Sequence, residues 1–150
     1  MGKVCAFFEH REVWENLDAP LDDAIRKAVL EYGVTEFWNG GYGKFDSLSA
    51  AAVNRAKRDW PQLQLIRVYA YLPREKLSDL YDGSIYPEGL ETGLQRFAIS
   101  KRNIWIARNC DMVICYVRNE YGGAYEACRT AARAGKPILN LSGKELFHLP

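Results

Sequence analysis

Residues 34–46 read VTEFWNGGYGKFD, and this stretch decides the fold. Its first five residues are mostly β-branched or aromatic, which is typical of a strand. A glycine-rich loop, NGGYG, follows directly, and Asp46 or Ser47 behind it is the type of residue that caps a helix. Apolar residues then recur at helical spacing and stop before Pro61. The stretch therefore predicts a strand, a glycine-rich turn and a helix in succession.

The same succession recurs on both sides of this stretch. Residues 74–91 are an exception, and there we predict a short helix and a loop with the look of an insertion. The alternation predicts an α/β fold: a Rossmann-like, doubly wound, mainly parallel sheet of about five strands with helices on both faces, in a single domain over residues 1–150. The predicted strands are residues 4–8, 34–38, 65–72, 111–117 and 138–141, and the predicted helices begin near Pro20, Asp46, Gly93 and Ala124.

The charge balance bears on the class of partner. The chain has 20 basic and 19 acidic residues, for a formal net charge of +1. A dedicated nucleic-acid surface normally requires a clear basic excess, so nucleic acid is disfavoured as a partner. A small local cluster of Arg and Lys around a phosphate stays compatible with this balance.

The cysteines and the chain's hydropathy bear on compartment and metal content. None of the four cysteines forms a CxxC pair, so we expect buried, reduced thiols and no metal site. No stretch is long enough and apolar enough to span a membrane, and the N-terminus lacks the apolar core of a signal peptide. These features predict a cytoplasmic protein. The cysteines are Cys5, Cys110, Cys115 and Cys128.

Two glycine loops are the first candidates for a ligand site. Residues 39–46 follow the second predicted strand, and residues 119–126 follow the fourth. Ligands of open parallel sheets bind at the carboxyl ends of the strands, where glycines let the backbone approach and a helix N-terminus favours a phosphate. The alternative is that both loops are tight turns that need glycine for geometry alone. Neither loop has the Walker A pattern, since Phe45 follows Lys44.

Charged residues near these loops have two interpretations each. Arg102, on the helix before the fourth strand, either grips a phosphate with its planar fork or lies on a solvated face. Asp46 either caps a helix or accepts a hydrogen bond from a ribose hydroxyl. His10 and Arg11 either contact the ligand or belong to a solvated loop. Glu126 either balances a helix dipole or serves as a catalytic carboxylate.

In their order and spacing these motifs resemble the SLOG superfamily, which includes the LOG-type phosphoribohydrolases and the DNA-processing protein DprA. The resemblance is to small bacterial stand-alone SLOG proteins of unassigned function, and it spans about residues 3 to 142. It rests on four motifs: His10-Arg11, the loop from Gly40 to Asp46, Arg102-Asn103, and the run from Gly122 to Ala124.

The resemblance implies a nucleotide-binding, Rossmann-like fold that commonly forms a dimer. Tyr42, Phe45 and Tyr125 are candidates to stack on a base. We expect neither a cofactor nor a metal. The ligand-binding residues that the resemblance and the loops together predict are His10, Arg11, Gly40, Gly41, Tyr42, Gly43, Phe45, Asp46, Arg102, Asn103, Gly122, Gly123 and Ala124.

Three functions remain open from the sequence. The first is a bacterial or phage signalling module that senses or sequesters a small nucleotide-derived ligand. The alternative is a LOG-like phosphoribohydrolase that cleaves the N-glycosidic bond of a nucleoside monophosphate. Its catalytic candidates are Arg102, which would orient the phosphate, and Glu126 or Asp46, either of which would stabilise an oxocarbenium-like state. In LOG enzymes a Glu closes the second glycine motif, whereas Cys128 stands at that position here, which disfavours the enzyme. The third is an interaction scaffold without a ligand.

Overall fold

A six-stranded, all-parallel sheet forms the centre of the computed structural model, which describes residues 2–9 and 16–147. The strands are β1 (Lys3–Glu9), β2 (Val34–Asn39), β3 (Gln64–Val68), β4 (Gly83–Ile85), β5 (Met112–Tyr116) and β6 (Ile138–Asn140). Their order in the sheet is β4-β3-β2-β1-β5-β6. The predicted α/β, Rossmann-like fold is thereby confirmed, with one strand more than expected.

Four α-helices of the described residues cover both faces of the sheet: α1 (Asp18–Tyr32), α2 (Gly43–Ala56), α3 (Ala98–Asn109) and α4 (Gly123–Arg133). On one face, α1 and α2 pack on each other and on a core that includes Phe37 and Ile25. On the other face, α3 and α4 pack on each other and on a core that includes Val113 and Ala127. None of the helices in the described part of the chain is long and apolar enough to cross a bilayer.

The central strand β1 is buried on both faces, as its continuous apolar run predicts. Cys5 and Phe7 belong to the core under α1 and α2, whereas Ala6 and Phe8 belong to the core under α3 and α4. Successive side chains of a strand point to opposite faces, so a strand with helices on both sides needs apolar residues at every position. The four cysteines are all buried, in agreement with the prediction.

The segment predicted as an insertion instead contributes an edge strand. No α-helix lies between residues 74 and 89. Here β4 pairs in parallel with β3, and the Asp82 carboxylate accepts a hydrogen bond from the backbone amide of Leu65 at 2.8 Å. Three residues of mixed polarity carry no strand pattern of their own. The strand exists because of its neighbour, which is why the sequence did not predict it.

Three predicted boundaries also need correction. The strand predicted over residues 65–72 ends at Val68. Gly93 is fully extended, with φ −100° and ψ 177°, so α3 begins only at Ala98 after two short 3₁₀ turns. Helix α2 begins at Gly43, three residues before Asp46, so Asp46 lies inside the first turn and does not occupy the cap position.

Candidate functional site

The strand order places a crevice beside β1. The chain runs from β1 outward through β2, β3 and β4, and then returns to add β5 and β6 on the other side of β1. Ligands of doubly wound sheets bind at the carboxyl ends of the strands where this reversal occurs. A cavity of about 310 Å³, here called the switch-point cavity, lies at that position. Its lining is Phe7, Phe8, Glu9, Gly40, Tyr42, Gly43, Asp46, Ile99, Arg102, Asn103, Ile106 and Ala124.

Asn39, the last residue of β2, fixes the glycine loop beside this cavity. Its side chain is 0% exposed. Its Oδ1 accepts hydrogen bonds from the Gly41 amide at 3.0 Å and from the Tyr81 hydroxyl at 2.7 Å. Its Nδ2 donates to the Asp46 carbonyl at 3.1 Å and to the Ser49 hydroxyl at 3.2 Å. Asn39 therefore ties the strand, the loop and the first turn of α2 into one unit.

Two carboxyl groups accept hydrogen bonds from backbone amides of this loop. Asp46 Oδ2 accepts a hydrogen bond from the Tyr42 amide at 3.0 Å. Glu9 Oε2, at the end of β1, accepts one from the Phe45 amide at 3.0 Å. A helix N-terminus attracts an anion, and here the protein supplies its own. The loop therefore presents two carboxyl groups to the cavity, and two amides that a phosphate would otherwise use are taken.

Arg102 crosses the cavity from α3 and is only 6% exposed. Its Nη1 lies 3.4 Å from the carbonyl oxygens of Gly40 and Val68, and its Nε donates to the Asn103 side chain at 3.1 Å. A Cβ on Gly40 would lie 2.5 Å from Nη1, so only glycine leaves room for the guanidinium here. Both hydrogen bonds of Nη1 are long, which leaves the group able to turn toward a ligand anion.

Burial changes the acidity of the three charged groups. It raises the pKa of Glu9 to about 8, and the neighbouring Asp46 adds to the rise. Burial also raises the pKa of Asp46 to about 6, although the Tyr42 amide and the Arg102 guanidinium oppose the change. It lowers the pKa of Arg102, which Asp46 partly offsets. Of the two carboxyl groups, Glu9 therefore keeps its proton to higher pH and Asp46 is the more acidic, while Arg102 stays a cation.

The protonation of Glu9 makes a prediction about stability. Folding raises the pKa of Glu9, so the stability that its proton contributes is complete below about pH 4.5 and is lost as the pH rises through about 8. At pH 9 we expect the free energy of unfolding of Glu9→Gln to be larger than that of the wild type by on the order of 2 kcal/mol; this figure is discounted because the carboxyl is partly exposed. At pH 4.5 we expect the two free energies to be equal. Urea unfolding at both pH values measures this.

Glu31→Gln is the matched control, because Glu31 is exposed and pairs with Lys27 on α1 at 3.7 Å. Its effect on stability is expected to be the same at both pH values. If Glu9→Gln also changes stability equally at pH 4.5 and pH 9, the burial of Glu9 does not set its acidity and this account of the carboxyl pair is wrong.

The second glycine motif forms the N-terminus of α4. The first helical hydrogen bond runs from the Glu126 amide to the Gly122 carbonyl at 3.0 Å. The amides of Gly123, Ala124 and Tyr125 precede that bond, and no side chain of the described residues caps them. Ala124 lines the switch-point cavity. The positive end of the α4 dipole therefore faces the same space as Arg102.

The structure brings together part of the predicted site. His10 and Arg11 lie outside the described residues. Gly41 contacts Arg67 on the far side of the loop, and the Phe45 ring is 0% exposed and packs 6.2 Å from Phe7, so its predicted stacking on a base is wrong. Tyr125 stacks on Phe147, also away from the cavity lining. The predicted residues that line the cavity are Gly40, Tyr42, Gly43, Asp46, Arg102, Asn103 and Ala124.

Glu126 does not take part in this cavity. Its side chain is 56% exposed and lies 3.7 Å from Arg129. It is not among the residues that line the cavity, so its role as a catalytic candidate stays a prediction that this geometry does not support. Glu9 is the carboxylate that sequence reasoning missed. Its position as the last residue of a buried strand was the available signal.

Metal binding has no support from the described residues. Within residues 2–9 and 16–147, no three histidine, cysteine or carboxylate side chains come together as a metal site. Of the described residues, Glu9 and Asp46 are the carboxylates that line the cavity, and Arg102 beside them contributes a positive charge that opposes a cation.

No protein-family model matches this chain, and no curated protein matches it. Solved structures share its fold. DprA from Streptococcus pneumoniae matches with a TM-score of 0.66 and 20% identity over 99% of this chain and 53% of DprA. The molybdenum cofactor binding protein from Rippkaea orientalis matches with a TM-score of 0.60 and 18% identity, over 92% of this chain and 75% of that protein. The Moco carrier protein from Chlamydomonas reinhardtii matches with a TM-score of 0.59 and 14% identity, over 95% of this chain and 77% of the carrier protein.

These matches concern the fold. The Rossmann-like fold that the resemblance to the SLOG superfamily implies is confirmed, since all three structures have it. The chain spans about half the length of DprA.

Proposed function

We propose that this chain binds a small nucleotide-derived ligand in the switch-point cavity and senses or sequesters it as a signal. One observation carries the proposal: a buried arginine, two carboxyl groups and an uncapped helix N-terminus converge on one cavity. Its volume of about 310 Å³ is at the small end of the range for ligand sites, which suits a mononucleotide-sized group.

Each polar group has a suitable partner in a nucleotide. The α4 amides and Arg102 would hold the phosphate, because both carry positive charge toward the cavity. Glu9 and Asp46 would accept or donate hydrogen bonds to ribose hydroxyls, which bind carboxyl groups in either protonation state. Tyr42 is 50% exposed at the rim and would contact a base with the part of its ring that Arg67 and Arg102, at 5.5 and 5.9 Å from the ring centroid, leave open. This assignment places the phosphate on the second glycine loop and the sugar on the first.

The printed descriptions of the similar structures support a ligand of this kind. Two of them bind or carry the molybdenum cofactor. DprA is a DNA-processing protein, but the near-neutral charge of this chain disfavours a nucleic acid as its partner. The dimer that the resemblance implies stays a prediction, and light scattering of the purified protein tests it.

N-glycosidic hydrolysis is the second candidate, and one observation favours it. Glu9, with its pKa raised to about 8, would hold a proton at neutral pH and donate it to a departing base. Ionised Asp46 beside it would stabilise positive charge on the sugar. This version of the alternative replaces Glu126 with Glu9.

A thermal-shift panel followed by chromatography tests both candidates. AMP, ADP, ADP-ribose, NAD and cyclic mono- and dinucleotides are each incubated with the protein, and the samples are then analysed for turnover. We expect at least one nucleotide to raise Tm and to be recovered intact. Release of free base would establish the hydrolase instead. If no nucleotide raises Tm or is cleaved, the proposed function is wrong.

A further inference from the structure

A second cavity lies on the other side of Tyr42. It has a volume of about 450 Å³ and opens at the carboxyl end of β3, beside the switch-point cavity. Three of its lining side chains are cations and three are tyrosines. We call it the arginine–tyrosine cavity, and its lining is Tyr42, Arg67, Tyr69, Tyr71, Leu72, Pro73, Arg74, Glu75, Lys76 and Gln95.

Arg67 lies in the wall of this cavity and packs against two tyrosine rings. Its guanidinium carbon lies 5.5 Å from the Tyr42 ring centroid and 4.7 Å from that of Tyr69, so two aromatic rings hold it by cation–π contact. Gly41 lies behind it with φ 75°, and a Cβ there would be 2.3 Å from Arg67 Nε. Glycine at position 41 thus serves both the turn and the close approach of the arginine.

The guanidinium of Arg67 has no anionic partner in the described part of the chain. Its Nε is buried and makes no hydrogen bond with any described residue. None of the ion pairs among the described residues includes Arg67. An arginine that is fixed in place and unpaired loses little entropy when it binds, and its planar fork fits the oxygens of a phosphoryl group.

We propose that the arginine–tyrosine cavity binds a second phosphoryl group. Arg67 would provide the planar fork, and Arg74 and Lys76 at the exposed rim would add positive charge that Glu75 only partly offsets. The guanidinium carbons of Arg67 and Arg102 lie 5.5 Å and 5.9 Å from the same Tyr42 ring centroid, a separation that two linked phosphoryl groups of one molecule can span. Resting on the proposed function, this inference narrows the ligand to a nucleotide with two phosphates.

Calorimetric titration of AMP and ADP, in a buffer free of phosphate, tests this inference. We expect wild type to bind ADP roughly 10-fold more tightly than AMP. Arg67→Ala is expected to remove that difference and to leave the Kd for AMP within about 2-fold. The double variant Arg74→Ala/Lys76→Ala, at two exposed positions, is expected to reduce the difference several-fold. Arg58→Ala, exposed and outside this lining, is the control.

A parallel thermal-shift titration with inorganic pyrophosphate distinguishes a free anion from a group on the nucleotide. One outcome is that pyrophosphate raises the Tm of the wild type but not that of Arg67→Ala, while ADP binds no more tightly than AMP. This outcome supports the phosphoryl site and identifies a free anion as its occupant. If pyrophosphate acts through Arg67 while AMP fails to bind, the inference stands and the proposed function fails. The inference is overturned if ADP is no tighter than AMP and pyrophosphate has no Arg67-dependent effect.

Discussion

Asn39→Ala is expected to lower the free energy of unfolding by about 3 kcal/mol, and Tm by roughly 10 °C. The variant removes four hydrogen bonds at a position that water does not reach. The Gly41 amide and the Tyr81 hydroxyl lose their acceptor, and an unpaired buried polar group costs more than a lost surface bond. Chemical and thermal unfolding measure both quantities.

Two other variants calibrate this result. Tyr81→Phe removes only one of the four hydrogen bonds, so its cost is expected to be about 1 kcal/mol. Asn109→Ala removes an exposed bond to the Trp105 carbonyl at the end of α3, and its effect is expected to stay within about 0.5 kcal/mol. A cost for Asn39→Ala no larger than that of Asn109→Ala would mean that Asn39 does not organise the loop.

Arg102→Ala is expected to weaken binding of AMP roughly 100-fold. The variant removes the buried cation of the switch-point cavity and leaves Asp46 without the positive neighbour that opposes the rise in its pKa. The carboxyl then becomes more easily protonated, which limits the loss of stability. Calorimetric titration of AMP gives the ratio of Kd values, and circular dichroism establishes that the variant is folded.

Gly40→Ala provides an independent route to the same result. The added methyl group would lie 2.5 Å from Arg102 Nη1, at the far end of a flexible side chain, so the arginine moves while the backbone stays. Gly83→Ala in β4, where the nearest atom is Ile66 Cδ1 at 3.2 Å, is the matched control and is expected to bind AMP normally. Normal binding by both Arg102→Ala and Gly40→Ala would exclude Arg102 from the site.

The sequence predicted the parts of the fold that depend on local pattern. The buried run of β1 and the glycine loop after β2 lie where expected, because apolar continuity and glycine each have a direct structural meaning. Strand β4 was not predicted because it forms through its pairing with β3 and not from a pattern in its own sequence. The start of α3 was predicted too early because the backbone is extended at Gly93, within a stretch whose apolar spacing is helical.

The sequence predicted where the candidate site lies better than it predicted which side chains line it. Arg102 and Asp46 were candidates from their motifs, and both line the cavity. Glu9 and Asn39 were missed because their roles depend on contacts between segments far apart in the chain, such as the bond from the Phe45 amide to Glu9. Spacing alone placed Glu126 near the cleft, but its side chain is 56% exposed and is not part of the cavity lining.

The most direct test of a nucleotide site in the switch-point cavity is an amide ¹H–¹⁵N NMR titration of the protein with AMP. We predict that the largest shifts belong to Gly123, Ala124 and Asn103, with smaller shifts at Tyr42 and Gly43, because the phosphate would lie against the α4 N-terminus. Shifts confined to α1 and α2, or no shifts with AMP or any other nucleotide in the panel, would contradict the account.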